Sequence, residues 1–157
     1  ILDSIERIIA VLQKEIERID RAIEKLVKER QPLRDQDTIY QSVCGIGAIT
    51  SWTILAYLGD ISRFKRNQLV ALVGVAPFNK DTGKKIGKRT IQGGRAKVRR
   101  CLFMAARTAA AHNPVIRAYV QRLCQRGKPY KCALVAAMRK LLIHIHSLSK
   151  NQTECLA

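Results

Sequence analysis

Between Lys80 and Arg100 the chain places nine cations, Lys80, Lys84, Lys85, Lys88, Arg89, Arg95, Lys97, Arg99 and Arg100, against one acid, Asp81. Glycines at 83, 87, 93 and 94 lie between them. Clustered like charge adds nothing to the stability of a fold, whereas glycine amides beside ammonium and guanidinium groups suit the oxygens of a phosphodiester. Upstream, Gly45-Ile46-Gly47 separates two stretches of helical character. Glycines there let the backbone come close to a phosphate, and the amides from Gly47 onward open a helix whose positive end favours an anion. The expected contacts to DNA or RNA are therefore Gly45, Gly47, Lys80, Lys84, Lys85, Lys88, Arg89, Arg95, Arg99 and Arg100. Taken alone, a Gly-x-Gly turn serves equally as a plain helical connection, and a run of cations as a solvated surface.

Other chemistries have weaker support. His144 and His146 are two apart on a helix and fall on different faces, so no metal site is expected. His112, just before Asn113-Pro114, suits the negative end of a helix. The five cysteines, Cys44, Cys101, Cys124, Cys132 and Cys155, are odd in number and lack Cys-x-x-Cys spacing, which reads as reduced, cytosolic thiols. Ser42, Ser51 and Ser62 have no paired base at a recognisable spacing. Trp52 and Phe64 read as packing aromatics, and at 5% aromatic residues the chain is no stacking platform for single strands.

These residues sit in a chain of 157 with 29 Lys plus Arg against 12 Asp plus Glu, a formal net charge of +17. Such an excess points to a polyanionic partner, and 47% hydrophobic residues suffice for a real core. The charge is unevenly spread. Residues 1–37 hold nine acids and eight bases, and residues 38–157 hold three acids, Asp60, Asp81 and Glu154, against twenty-one bases. A two-part organisation follows: a helix over 1–37, then a basic domain over 38–157.

In the first part Leu2, Ile5, Ile9, Leu12, Ile16, Ile19, Ile23 and Leu26 alternate spacings of three and four, the seam of a coiled coil. Its expected product is a homodimer or a higher homo-oligomer, because Ile at a with mixed Ile and Leu at d does not select two strands cleanly. Pro32 is expected to end the helix and begin a polar link through Asp37. Tyr40 to Asp60 then reads as a helix-hairpin-helix-like element, followed by a helix from Ser62 through Val73 and a basic, glycine-containing loop from Gly74 to Gly94. The alternation in Lys85–Ile91 permits a short hairpin. Helices are expected from about Arg95 to Ala111, from the Asn113-Pro114 cap to Gly127, and from Pro129 to Ser149. The fold class is all-α with a basic loop or short hairpin insert. The apolar run near Leu134 is broken by Arg139 and Lys140, so no membrane span is expected. The chain also begins without Met and directly inside a heptad, as a fragment of something longer would.

The order of short motifs carries a resemblance. Gly45-Ile-Gly, Leu58-Gly-Asp60, Phe64-Lys, Leu72-Val-Gly-Val-Ala-Pro77-Phe-Asn-Lys-Asp-Thr-Gly-Lys84, Gly93-Gly-Arg95, Arg99-Arg, Ala111-His-Asn-Pro114, Arg126-Gly-Lys-Pro129 and Ala137-Met-Arg-Lys140 occur in sequence. Residues 39–146 thereby resemble the C-terminal domain of the insertion-sequence one-hundred-and-ten family of DEDD-type transposases, with its one-eleven-eleven relatives. The resemblance implies a bacterial, cytoplasmic and nucleoid-associated recombinase of a mobile insertion sequence. Its N-terminal RuvC-like domain would hold Mg²⁺ on four acids, its coiled coil would follow, and its C-terminal domain would attack DNA with a serine; some relatives are directed by a bridge RNA. The family's segment Ala-Pro-x-x-x-x-Ser-Gly-Lys matches Ala76 to Lys84, where Thr82 stands in place of the serine. Thr82 is thus the implied nucleophile, although threonine's methyl hinders in-line attack and the residues alone make it an ordinary turn residue. This stretch by itself, lacking an acidic metal cluster, is expected to need no cofactor and to cut no DNA. The alternative class is a non-catalytic helix-hairpin-helix nucleic-acid-binding module.

Overall fold

The computed structural model describes residues 2–78 and 90–152. The implied nucleophile Thr82 and the cations Lys80, Lys84, Lys85, Lys88 and Arg89 lie outside the described residues. The chain forms two compact units, Ile1–Asp35 and Gln36–Ala157. Its described residues are almost wholly helical: seven α-helices, one 3-10 turn and a pair of two-residue strands.

The first unit is dominated by α1, Leu2–Glu29. No Gly or Pro interrupts it, and exposed pairs at helical spacing join Arg18 to Glu15 and Arg21 to Glu17, at 2.8 and 3.1 Å. Each such pair stabilises a helix by only a few tenths of a kcal/mol, about 0.3–0.5. The apolar seam is left largely uncovered, with Ile5 48%, Ile9 48%, Leu12 56%, Ile16 57%, Ile19 52% and Leu26 53% exposed. Ile23, in the same row, is half-buried.

Pro32 does not lead into a polar link. The break falls at Arg30, and Pro32 lies in the first turn of a second helix, α2, Gln31–Gln41. Proline is tolerated there because a first-turn amide has no intrahelical acceptor to lose, and its fixed φ already suits the helix.

The second unit is built around α7, Tyr130–Asn151. Ala133, Leu134, Ala137, Met138, Leu141, Leu142 and Ile145 of α7 are buried. They face α5, Ala96–His112, and α6, Pro114–Gln125, which bury Val98, Leu102, Ala105, Ala106 and Ala109, and Ile116, Val120 and Leu123. Alanines on α5 allow close helix approach without voids. The start of α6 follows the expected cap: the Asn113 carboxamide oxygen accepts from the amides of Val115 and Ile116 at 2.9 and 3.1 Å, and Pro114 takes the first position.

The stretch expected as one helix from Ser62 to Val73 divides into the 3-10 turn Ile61–Arg63 and α4, Arg66–Val73. Asp60 caps the turn, accepting from the Ser62 amide and hydroxyl at 3.0 and 2.7 Å. Partial burial would raise its pKa, but Ser62 and the Arg63 guanidinium hold the carboxyl below its ordinary value. The Gln68 side chain accepts from the Lys65 amide at 3.0 Å and starts α4 anew. His146, buried on α7, bonds the Phe64 carbonyl through Nε2 at 2.8 Å and ties this break to the core. Pro77–Phe78, β1, pairs antiparallel with Thr90–Ile91, β2, at the two ends of the loop, while most of the Lys85–Ile91 stretch read as a short hairpin lies outside the described residues. By length and composition α7 is apolar enough to cross a membrane, contrary to the reading from Arg139 and Lys140, though half of that stretch is buried in this core.

Candidate nucleic-acid interface

The base of the basic loop is a backbone-to-backbone crossing. Gly74 ends α4 in the left-handed conformation, φ +76°, and Gly94 approaches it with φ +64°. A Cβ on Gly94 would lie 2.5 Å from the Gly74 amide nitrogen and 2.6 Å from the Val73 carbonyl carbon. A Cβ on Gly74 would lie 2.6 Å from the Gly93 oxygen. Only glycine fits either place, since both left-handed backbone and absent side chain are needed. Beside the crossing the Arg95 amide donates to the Leu72 carbonyl at 3.0 Å. Arg99 donates through Nη1 to the Val73 carbonyl at 3.3 Å and also to the Gly93 carbonyl.

These contacts fix residues 74–78 and 90–95 to the adjoining ends of α4 and α5. Phe78 and Thr90, which flank 79–89, are paired across the strands. Arg95 and Arg100 are exposed at the start of α5, while Arg99 is half-buried with its guanidinium turned to carbonyl oxygens. Of the expected contacts, the structure therefore brings Arg95, Arg99 and Arg100 together beside the loop base. Lys97, on the same turn, lies over the Tyr57 ring at 5.5 Å.

Gly45 and Gly47 differ in surroundings. Gly45, φ +94°, faces α5, where a Cβ would meet the Ala105 carbonyl oxygen at 2.6 Å and Ala109 at 2.9 Å. Packing alone therefore accounts for its being glycine. A Cβ on Gly47 would meet nothing within 4 Å, and this exposed residue caps the amino end of α3, Ala48–Leu58. An adjacent bond holds the turn: Ser51 donates to Asp37 at 2.5 Å.

Several polar groups are spent on structure. Tyr40 is fully buried, and its hydroxyl has no hydrogen bond of good geometry among the described residues. Burial pushes its phenol up to about 12, only partly offset by the nearby Ser149 hydroxyl and Ile61 backbone. The Trp52 indole N–H is likewise buried without a partner among those residues. No group of three His, Cys, Asp or Glu among the described residues could hold a metal ion. The sequence ends the helix at Val73, just before Gly74, but carries no sign of that glycine's close approach to Gly94 across the loop.

Fold and loop base define an all-α domain that carries a cation-rich segment on a fixed helical frame. Residues 37–121, from α2 through most of α6 and including the loop base, match the Transposase IS116/IS110/IS902 family. The chain is also similar to a "Pilin gene-inverting protein" of Moraxella bovis and to one of Moraxella lacunata. Each is 31% identical over 131 residues, which is 81% of this chain and 41% of the relative. The chain belongs to the Transposase IS116/IS110/IS902 family. It spans about two fifths of the length of these relatives, 41%.

Proposed function

We propose that this chain is the DNA-engaging and self-associating C-terminal part of a transposase or site-specific recombinase of a mobile insertion sequence. The carrying observation is the loop base: the glycine crossing and the β1–β2 pair hold both ends of the segment that contains Thr82 and the clustered cations. The relatives' name, gene inversion, describes a rearrangement of DNA, and the net charge of +17 suits that partner. In this reading the Thr82 hydroxyl attacks a phosphorus, its oxygen forms a protein–DNA phosphoester, and a deoxyribose hydroxyl leaves with the proton. The cations Lys80, Lys84 and Lys85 orient the phosphate and offset its charge. The acidic Mg²⁺ cluster is assigned to a RuvC-like domain, as the family resemblance implies. A guide RNA, where one is used, would meet the same phosphate-binding cations. Self-association uses the exposed seam of α1, and the setting is the bacterial cytoplasm at the nucleoid.

A second reading, a non-catalytic helix-hairpin-helix module, is favoured by the open Gly47 turn and by Thr82 where the family segment has serine. Both readings are tested by replacing Lys84, Lys85, Lys88 and Arg89 together with Ala. The logarithm of the affinity for unrelated duplexes falls with log salt by about 0.9 per neutralised phosphate, so the slope should flatten by up to about 3.6. An unchanged slope would remove the loop from the binding surface.

A further inference from the structure

From Ala96 to Asn151 the chain holds twelve Lys or Arg and no Asp or Glu. Among the described residues no cation of these three helices has a carboxylate at ion-pair distance. Two of them are engaged structurally: Arg99 donates to the Val73 and Gly93 carbonyls, and Arg117 to the Ala110 and Ala111 carbonyls at the end of α5. Others converge where α6 packs on α7. Lys140 of α7 lies over the Tyr119 ring at 4.6 Å, and Arg122 of α6 lies over the same ring at 5.5 Å. The two cations are therefore no more than about 10 Å apart, within about one Debye length at 0.1 M salt.

One aromatic ring offsets only part of the repulsion between two exposed cations. It does not neutralise them, and an anion placed between them would. The surroundings extend the same charge: at about 100° per residue Tyr119, Arg122 and Arg126 fall within about 60° of helix arc. Arg126, Lys128 and Lys140 are exposed, and the turn through Gly127 leads to the amino end of α7, whose amides are electropositive. None of this belongs to the loop or to the Gly47 turn.

We propose that the α6–α7 hairpin is a second DNA surface, on which Arg122, Arg126, Lys128 and Lys140 hold the phosphate backbone of duplex DNA. The inference rests on DNA being the partner, as proposed above, but not on the loop. Duplex is preferred to a single strand because single-strand binding needs open aromatic faces, and the Tyr119 ring is already taken by cations. The contacts are to phosphate, so the surface positions DNA and reads no sequence. A protein with two such surfaces can hold two segments of DNA, as joining or inverting DNA requires.

The test uses the 157-residue chain and a labelled, random-sequence duplex, with affinity measured by anisotropy from about 50 to 200 mM salt. Arg122→Gln, Arg126→Gln and Lys140→Gln are combined, with helicity checked by circular dichroism. The expected result is a salt slope shallower by up to about 2.7, additive with the loop replacement. Should the triple variant lose helicity, Lys140→Gln alone should reduce the slope by about 0.9. Parental affinity and slope in these variants would overturn the proposal, as would tighter binding of a single strand of equal length than of the duplex. If the loop replacement alone flattens the slope, this inference fails while the loop reading stands. If the hairpin replacement alone does so, the reverse holds, and a parent chain that binds no DNA removes both.

Discussion

Replacing Gly94 with Ala perturbs the crossing that closes the loop, and Gly93 next to it provides the control. Both have left-handed backbone, φ +66° at Gly93 and +64° at Gly94. A Cβ on Gly93 meets nothing within 4 Å, whereas one on Gly94 lies 2.5 Å from the Gly74 amide nitrogen, 2.6 Å from the Val73 carbonyl carbon and 2.7 Å from the Gly74 Cα. Those are backbone atoms, so no rotamer change relieves the clash. Left-handed strain for Ala costs about 1–2 kcal/mol at either site. At Gly94 a forced backbone shift adds about 1–3 kcal/mol. Alanine also stiffens the unfolded chain, by about 0.4–1 kcal/mol, but equally at both positions, so that contribution cancels in the comparison. Gly94→Ala should therefore lose about 1–3 kcal/mol more than Gly93→Ala, a large share of the roughly 5–15 kcal/mol that holds a domain together. Urea unfolding followed by the fluorescence of Trp52, the single tryptophan, reports the helical unit directly. Equal stability of the two variants within about 0.5 kcal/mol would refute the close crossing.

Three further outcomes are expected. Ile16→Lys places a charge in the α1 seam where a coiled coil would bury a side chain contributing about 1.5–3 kcal/mol per helix, so self-association should weaken about a hundredfold or more. Unchanged sedimentation would remove the coiled coil. On the proposed function, Thr82→Ser in the full-length protein should keep or raise strand transfer and covalent DNA adducts, and Thr82→Val should abolish both. A Val variant that recombines like the parent would return Thr82 to a turn residue. Tyr40→Phe removes a buried hydroxyl that has no well-aligned partner, so stability near neutral pH should be unchanged within about 1 kcal/mol or rise. Because the fold favours the neutral phenol, Tyr40's contribution is complete below its ordinary value of 10.0 and is lost as pH rises through about 12. Alkaline urea unfolding should show that decline in the parent and less of it in the Phe variant, and a Phe variant losing about 2 kcal/mol at neutral pH would show that the hydroxyl is bonded.

Much of the helical order was legible in the residues. Asn113-Pro114 starts α6 and Gly127 follows its end because caps act within one turn of chain, and the inward row of α7 repeats at helical spacing. Pro32 misled for a local reason too, since proline reads as a stop and serves equally as a first residue. The family's order of motifs was likewise a property of sequence, and it singled out Thr82, which composition alone leaves as a turn residue.

What the sequence determined was the charge division, the apolar row of α1, the all-α class and the positions of the clustered cations. What only tertiary structure decided was which of these groups are already engaged. Gly45 is held against α5 sixty residues along the chain, and Gly94 against Gly74 across the loop. Arg99 faces the carbonyls of Val73 and Gly93, while Lys140 and Arg122 meet over Tyr119. A residue type and its spacing specify what a side chain can do near its own backbone, through periodicity, caps and φ preference. Its partners across the core depend on how helices distant in sequence pack, and that packing, set by the summed burial of many apolar side chains, leaves no mark at the position itself.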